Sequence, residues 1–169
     1  MQIIISDSSC LIDLHKASLL EAFVCLPYEV CVPDVILESE LLSFSAEEKK
    51  ALQDMGLKVL ELPGDGLLSV QNLRRESPVL SVNDCFACIL AERHIGSVLL
   101  TGDGDLRLIS QARGIEVHGI LWCMDMIHAA ETATVRQIHD ALTIFATDAT
   151  VRLPAATLAK FIKKFGDLL

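Results

Sequence analysis

Four acidic residues stand where a folded chain would otherwise avoid a carboxylate, and together they predict a cation site. Asp7 follows the aliphatic run at residues 3–5, and Asp103 follows a similar run at residues 98–100. Short apolar runs of this kind are typical of buried parallel strands. Both carboxylates are therefore expected just beyond the carboxyl end of a strand.

The other two acids, Glu38 and Asp84, lie inside apolar helical patterns. At 100° per residue the nearest angular neighbours of Glu38 include Val35, Leu41 and Leu42, and Asp84 shares its stripe with small apolar side chains. Neither stripe carries a Lys or Arg. An ionised carboxylate on such a face is costly to desolvate unless a counter-charge or a metal ion meets it.

Carboxylates are hard oxygen ligands that suit Mg²⁺ or Mn²⁺. A cluster of four could hold one or two such ions. Two ions about 3.5–4 Å apart can activate water and stabilise both the attacking and the leaving oxygen of a phosphodiester. The residue types therefore indicate phosphodiester hydrolysis.

The elements that must position these acids alternate between strands and helices. This alternation predicts an α/β domain with a parallel sheet and right-handed crossovers, in which ligands bind beyond the carboxyl ends of strands. A turn is expected at residues 63–66, and the last fifty residues read as helical. The expected strands lie at residues 3–5, 30–32, 57–62, 98–100 and 116–118. The expected helices lie at 9–24, 45–55, 67–77 and 81–94, with one that begins at Pro33 and carries Glu38 and one that runs from beyond Asp103 through Arg113.

Length and composition fit one soluble domain over residues 1–169. The chain is 51% hydrophobic and has a net charge of −9, which argues against a general nucleic-acid-coating protein. No apolar stretch approaches the roughly 20 residues of a membrane span, and the N-terminus does not resemble a signal peptide. The six cysteines lie in apolar segments, as buried thiols do in a reducing compartment. We therefore expect a cytoplasmic protein with no membrane partner.

Four segments in this order resemble the PIN-domain nucleases, and among them the VapC-like toxin ribonucleases of type II toxin–antitoxin pairs. The resemblance covers about residues 1–120 and leaves residues 120–169 as a C-terminal helical extension, as in an outlying branch. The segments are IIISDSSCLI, VPDVILESEL, SVNDCFACILAE and LLTGDGDLRLISQARGIEVHG.

The resemblance implies a three-layer fold with sheet order 3-2-1-4-5 and a Mg²⁺- or Mn²⁺-dependent endoribonuclease. It also implies a homodimer and a small antitoxin partner. The metal-binding acids would be Asp7, Glu38, Asp84 and Asp103, with Ser9 in support and Asp105 as a candidate fifth acid. Candidate contacts to the RNA backbone are Arg74, Arg75, Arg107 and Arg113.

Each acid also has an ordinary structural explanation. Asp7 could cap the following helix, and Asp84 stands three residues after Ser81 in a capping-box spacing. Glu38 could be a partly exposed helix residue, and Asp103 with Asp105 could form a turn. Other functions also stay open. A haloacid-dehalogenase-like phosphatase is less favoured, because it would need a second Asp where Ser9 stands. A receiver domain is disfavoured, because it would need a paired acid after the first strand and a Lys after the fifth, and neither is present. A non-catalytic binding or regulatory module of this fold is the third alternative.

Overall fold

The computed structural model describes all of residues 1–169 as a parallel sheet with helices on both faces. The sheet and the helices before the last three follow the alternation that the sequence predicts. In chain order the elements are β1 Ile3–Ser6, α1 Ser8–Lys16, α2 Leu20–Val24, β2 Glu29–Pro33, α3 Asp34–Ser39, α4 Ala46–Met55, β3 Lys58–Leu60, α5 Gly64–Glu76, α6 Val82–Arg93, β4 Val98–Leu100, α7 Gly104–Ala112, β5 Glu116–His118, α8 Ile120–Ala129, α9 Val135–Thr147 and α10 Ala155–Gly166.

The five strands are all parallel and lie in the order β3-β2-β1-β4-β5, which confirms the predicted α/β fold and strand order. In the central pair, Ile5 is level with Leu99 and Ser6 with Leu100. The chain leaves β1 toward β2 on one side and returns through β4 on the other side. The β1–β4 boundary is thus the switch point of the sheet, where α/β proteins bind ligands.

Two local predictions are wrong. The expected helix over residues 9–24 is divided into α1 and α2, because Ser18 between them takes a positive φ of 55° that a helix interior does not permit. The turn expected at residues 63–66 is the start of α5 with Pro63 at the N-cap position. Pro fixes its own φ and lacks an N–H, so it favours a helix start as readily as a turn.

The core is one cluster of 45 buried apolar residues that includes side chains from α8, α9 and α10. Phe165 of α10 is fully buried, and its ring meets His128 of α8 edge to face with centroids 5.4 Å apart. The last helices therefore share the core of the sheet domain. None of the helices is long and apolar enough to cross a membrane.

Shortening Phe165 to Ala will lower the free energy of unfolding by about 3–5 kcal/mol, because it removes a fully buried aromatic ring. We expect a single urea transition at a lower midpoint, since α10 shares one core with the sheet. The exposed Leu169→Ala is the control and should leave the midpoint unchanged. A separate early transition for α10 would contradict a shared core.

Candidate functional site

A cavity of about 830 Å³ opens at the carboxyl edge of the sheet, beside the β1–β4 boundary. Three of the predicted acids line it: Asp7, Asp84 and Asp103. Asp7 follows β1 directly, and Asp103 lies three residues past the end of β4. Parallel strands bring their carboxyl ends to one edge, so the topology gathers side chains that are 96 residues apart in the sequence.

Asp7 is the buried acid of the cavity, and hydroxyl and amide donors hold both of its oxygens. Its Oδ1 accepts from the Ser9 hydroxyl at 2.8 Å and from the Cys10 N–H at 3.3 Å, while its Oδ2 accepts from the Thr101 hydroxyl. The Thr101 hydroxyl oxygen also accepts from the Asp103 N–H at 3.0 Å. Asp7 is therefore fixed to both central strand ends.

The pKa of the Asp7 carboxyl is raised to about 6, chiefly because burial disfavours its charged form. Hydrogen bonds from Thr101, Ser9 and Cys10 oppose this rise, and the negative charge of Asp84 adds to it. Only 5% of Asp7 is exposed. A cation in the cavity would offset this cost, because an opposite charge favours the ionised form.

Asp84 and Asp103 each bind a helix N-terminus with one carboxylate oxygen. Asp84 Oδ2 accepts from the Ser81 N–H at 2.7 Å in a complete capping box, and Asp103 Oδ1 accepts from the Leu106 N–H at 2.8 Å. The capping explanations for both residues, and for Asp7 in α1, are thus confirmed. The remaining oxygens, Asp84 Oδ1 and Asp103 Oδ2, accept no hydrogen bond within the protein.

Glu38 does not have the surroundings that its helical spacing predicts. It is exposed on α3, does not line the cavity and forms no hydrogen bond or ion pair. Its predicted apolar face is wrong because α3 ends at Ser39, so the 100° spacing does not continue to Leu41 and Leu42. Leu41 is buried, whereas Leu42 is 75% exposed.

Glu40 was not predicted as a site residue, but it is the acid of this segment that is hydrogen-bonded to residues adjacent to Asp7 and Asp84. Its carboxylate accepts hydrogen bonds from the Ser8 hydroxyl, next to Asp7, and from the Asn83 amide, next to Asp84. Glu40 is not among the residues that line the cavity. It follows Glu38 by two residues in VILESEL.

The other predicted residues divide between the cavity and the remaining surface. Ser9 and Arg107 line the cavity, and the Arg107 guanidinium donates to the carbonyls of Thr101 and Val117. The rest lie elsewhere: Asp105 is exposed in the first turn of α7, Arg74 donates to the Pro78 carbonyl, Arg75 is exposed at the end of α5, and Arg113 pairs with Glu92 at 2.9 Å.

A second part of the cavity lining was not expected from the sequence. It consists of α8 and the segment between α9 and α10, and it contributes Trp122, Arg152, Leu153 and Pro154. The C-terminal helices therefore complete the cavity. No local motif predicts this contribution, because it depends on how α10 packs.

The oxygen donors suit a hard divalent cation, although no three His, Cys, Asp or Glu side chains form an assembled metal centre. Asp84 and Asp103 each have one carboxylate oxygen that accepts no hydrogen bond. Asp7 contributes an ionisable carboxyl group between the ends of β1 and β4. Mg²⁺ usually binds through one or two carboxylates and keeps several waters. The arrangement fits such an ion.

The chain belongs to the PIN-domain family DUF3368, which it matches over residues 3–167. This match includes the C-terminal helices that the resemblance left outside its core. PIN domains are generally nucleases, so the membership indicates a nuclease-like role. No curated protein matches the chain.

Replacing Asp7 by Asn should raise the free energy of unfolding of the metal-free protein at pH 7.5 by up to about 3 kcal/mol, since two pKa units correspond to about that energy. The raised pKa means that the folded state holds its proton longer than the unfolded state. The free energy of unfolding of wild type should therefore fall relative to that of Asp7→Asn as pH rises from about 4 to about 6. Above about pH 6 the difference between the two proteins should stay constant.

Urea unfolding of both proteins in EDTA at several pH values measures this difference. If Asp7→Asn is less stable than wild type at pH 7.5, the buried charge of Asp7 does not destabilise the folded protein and the prediction is wrong. Thr101→Val serves as a comparison, because it removes a hydrogen bond that stabilises the ionised form and should make that cost larger.

Proposed function

We propose that the protein is a divalent-metal-dependent ribonuclease that hydrolyses phosphodiester bonds in RNA. One observation carries the proposal: Asp7, Asp84 and Asp103, from three different helix starts, line a single cavity at the switch point of a PIN-domain sheet. The choice of RNA is supported by the resemblance to VapC-like ribonucleases.

Asp7, Asp84 and Asp103 would hold Mg²⁺ or Mn²⁺, and Glu40 rather than Glu38 would support them from outside the cavity lining. Such an ion supplies charge neutralisation at the phosphate and activation of water. Glu40 would act as a positioning residue, since its bonds to Ser8 and Asn83 connect the helix starts that carry Asp7 and Asp84. Exposed Asp105 has no part in this proposal.

The remaining residues around the acids would orient the substrate. Ser9 and Thr101 fix the Asp7 carboxylate, so that this acid keeps one orientation when the cavity fills. Arg107 lines the cavity with its guanidinium held by two carbonyl groups, which places a fixed positive charge near the acids. That charge favours a phosphate at this position.

A homodimer and a small antitoxin partner belong to the same proposal. Large apolar side chains on α5, before α6 and at the start of α6 support a self-association surface, because Leu68, Val79 and Val82 are each more than half exposed. The antitoxin rests on the resemblance alone. A short neighbouring reading frame whose product co-purifies with this chain would support the toxin role.

Asp7→Asn, Asp84→Asn and Asp103→Asn should each reduce Mn²⁺-dependent cleavage of single-stranded RNA by at least about 100-fold, because each removes a ligand charge. In a thermal-melting assay, Mn²⁺ should stabilise wild type and have little effect on Asp7→Asn. The exposed Asp54→Asn is the control. Metal binding without cleavage by wild type would instead indicate a non-catalytic binding module.

Glu40→Gln should lower cleavage by about 10–100-fold, as loss of an outer-shell partner does in other metal sites. Glu38→Gln should retain nearly full activity, because Glu38 is exposed and does not line the cavity. The exposed Glu47→Gln is a control for the loss of one negative charge. If Glu38→Gln is inactive and Glu40→Gln active, the original assignment of Glu38 is correct.

A further inference from the structure

The cavity lining also contains cationic and aromatic groups besides the acids. Lys16 of α1, Arg107 of α7 and Arg152 of the segment between α9 and α10 line the cavity together with Trp122, the sole tryptophan of the chain. Four acids, Asp13 included, share the lining with these three cations. A cavity of about 830 Å³ has the volume that small-molecule and nucleotide sites occupy.

The segment at residues 148–154 is tied to α1, which fixes the position of Arg152. Lys16 Nζ lies 3.1 Å from Asp148 Oδ2 and donates to the Thr150 hydroxyl at 2.7 Å. Asp148 Oδ1 also accepts from the Thr150 N–H at 2.8 Å. Lys16 is thereby neutralised, so the charge left for a ligand on this segment is that of Arg152.

Arg152 is exposed and forms no ion pair or hydrogen bond within the protein. This contrasts with Arg93 and Arg113, whose guanidinium groups are paired with Asp65 and Glu92. An unpaired guanidinium at the edge of a cavity can bind a phosphate with two parallel hydrogen bonds.

The Trp122 ring is held in place while part of it remains on the cavity surface. His118 stacks on it with centroids 4.5 Å apart and planes 10° from parallel, and Tyr28 meets it edge to face at 5.9 Å. Trp122 is half-buried and lines the cavity. An indole fixed by two aromatic neighbours loses little conformational entropy when a further ring stacks on it.

We propose that Trp122 and Arg152 form a subsite for single-stranded RNA beside the scissile bond, in which Trp122 stacks with a base and Arg152 binds a phosphate. Both residues line the cavity that Asp7 lines, so one strand can reach both ends of it. The strand is single because only an unpaired base exposes its face for stacking. This subsite rests on the proposed function and names how the substrate is held.

The single tryptophan allows a direct test of stacking. Fluorescence of the wild-type protein is titrated with a ten-nucleotide oligouridylate in EDTA at low salt, where cleavage cannot occur. We expect the RNA to quench Trp122 and a polyphosphate of matched charge to leave the emission unchanged. Equal quenching by polyphosphate, or none by RNA at millimolar concentration, would overturn the stacking assignment.

Variants separate the two contacts, with binding measured by anisotropy of a labelled RNA. Trp122→Leu should weaken binding about tenfold at constant salt, and Trp122→Phe should restore most of the affinity. Arg152→Ala should weaken binding and lower the slope of log Kd against log salt by about 0.7, as loss of one phosphate contact does for single strands. Arg136→Ala, exposed on α9 and outside the cavity, is the matched control and should bind like wild type.

A structural effect of these substitutions would be recognised by the melting temperature and by the failure of Trp122→Phe to restore binding. Affinity for Arg152→Ala equal to that of Arg136→Ala would remove Arg152 from the subsite. Cleavage without quenching would overturn the subsite and leave the ribonuclease proposal standing. Quenching by RNA in a protein that never cleaves RNA would support the subsite and overturn the ribonuclease proposal.

Discussion

The hydrogen bonds around Asp7 are the constraint on which the geometry of the site depends. This carboxylate accepts hydrogen bonds from Ser9 and Cys10, which follow β1, and from Thr101, which follows β4. It therefore joins the ends of these two strands. The Thr101 hydroxyl and the Ser9 hydroxyl in turn accept from the N–H groups of Asp103 and Gly102. A buried acid whose ionisation is energetically unfavourable therefore lies at the switch point of the sheet. That cost is the reason why the same place is suited to a cation.

Capping and ligand roles, which look like competing explanations in the sequence, are compatible in the structure. Asp84 and Asp103 each use one oxygen for a backbone N–H at a helix start and leave the other free toward the cavity. The cap fixes the carboxylate, because a bonded oxygen restricts rotation of the side chain. Helix starts also favour negative charge, which lowers the cost of gathering several acids at one edge.

The fold was predictable from sequence because its signals are local and repeated. Aliphatic runs followed by caps and glycine stops predicted all five strands and the acids that follow two of them, whereas the strand order was implied by the resemblance to PIN-domain nucleases. The assignment of Glu38 was less secure, because α3 has only six residues and a helical stripe cannot be extrapolated beyond its end. Glu40 and Arg152 were not found, since their positions depend on contacts with Ser8 and on the packing of α10 rather than on spacing.

The net charge of −9 is compatible with an RNA substrate when the pairing of the basic residues is considered. Six of the fourteen Lys and Arg side chains form ion pairs with acids: Lys16, Lys50, Lys58, Arg93, Arg113 and Lys164. Of the eight that form none, Arg107 and Arg152 line the cavity. The acidic surface gives little attraction for a long strand, whereas two unpaired guanidinium groups lie where hydrolysis would occur. An acidic nuclease of this design would select its substrate by what enters the cavity, because the outer surface contributes mainly repulsion.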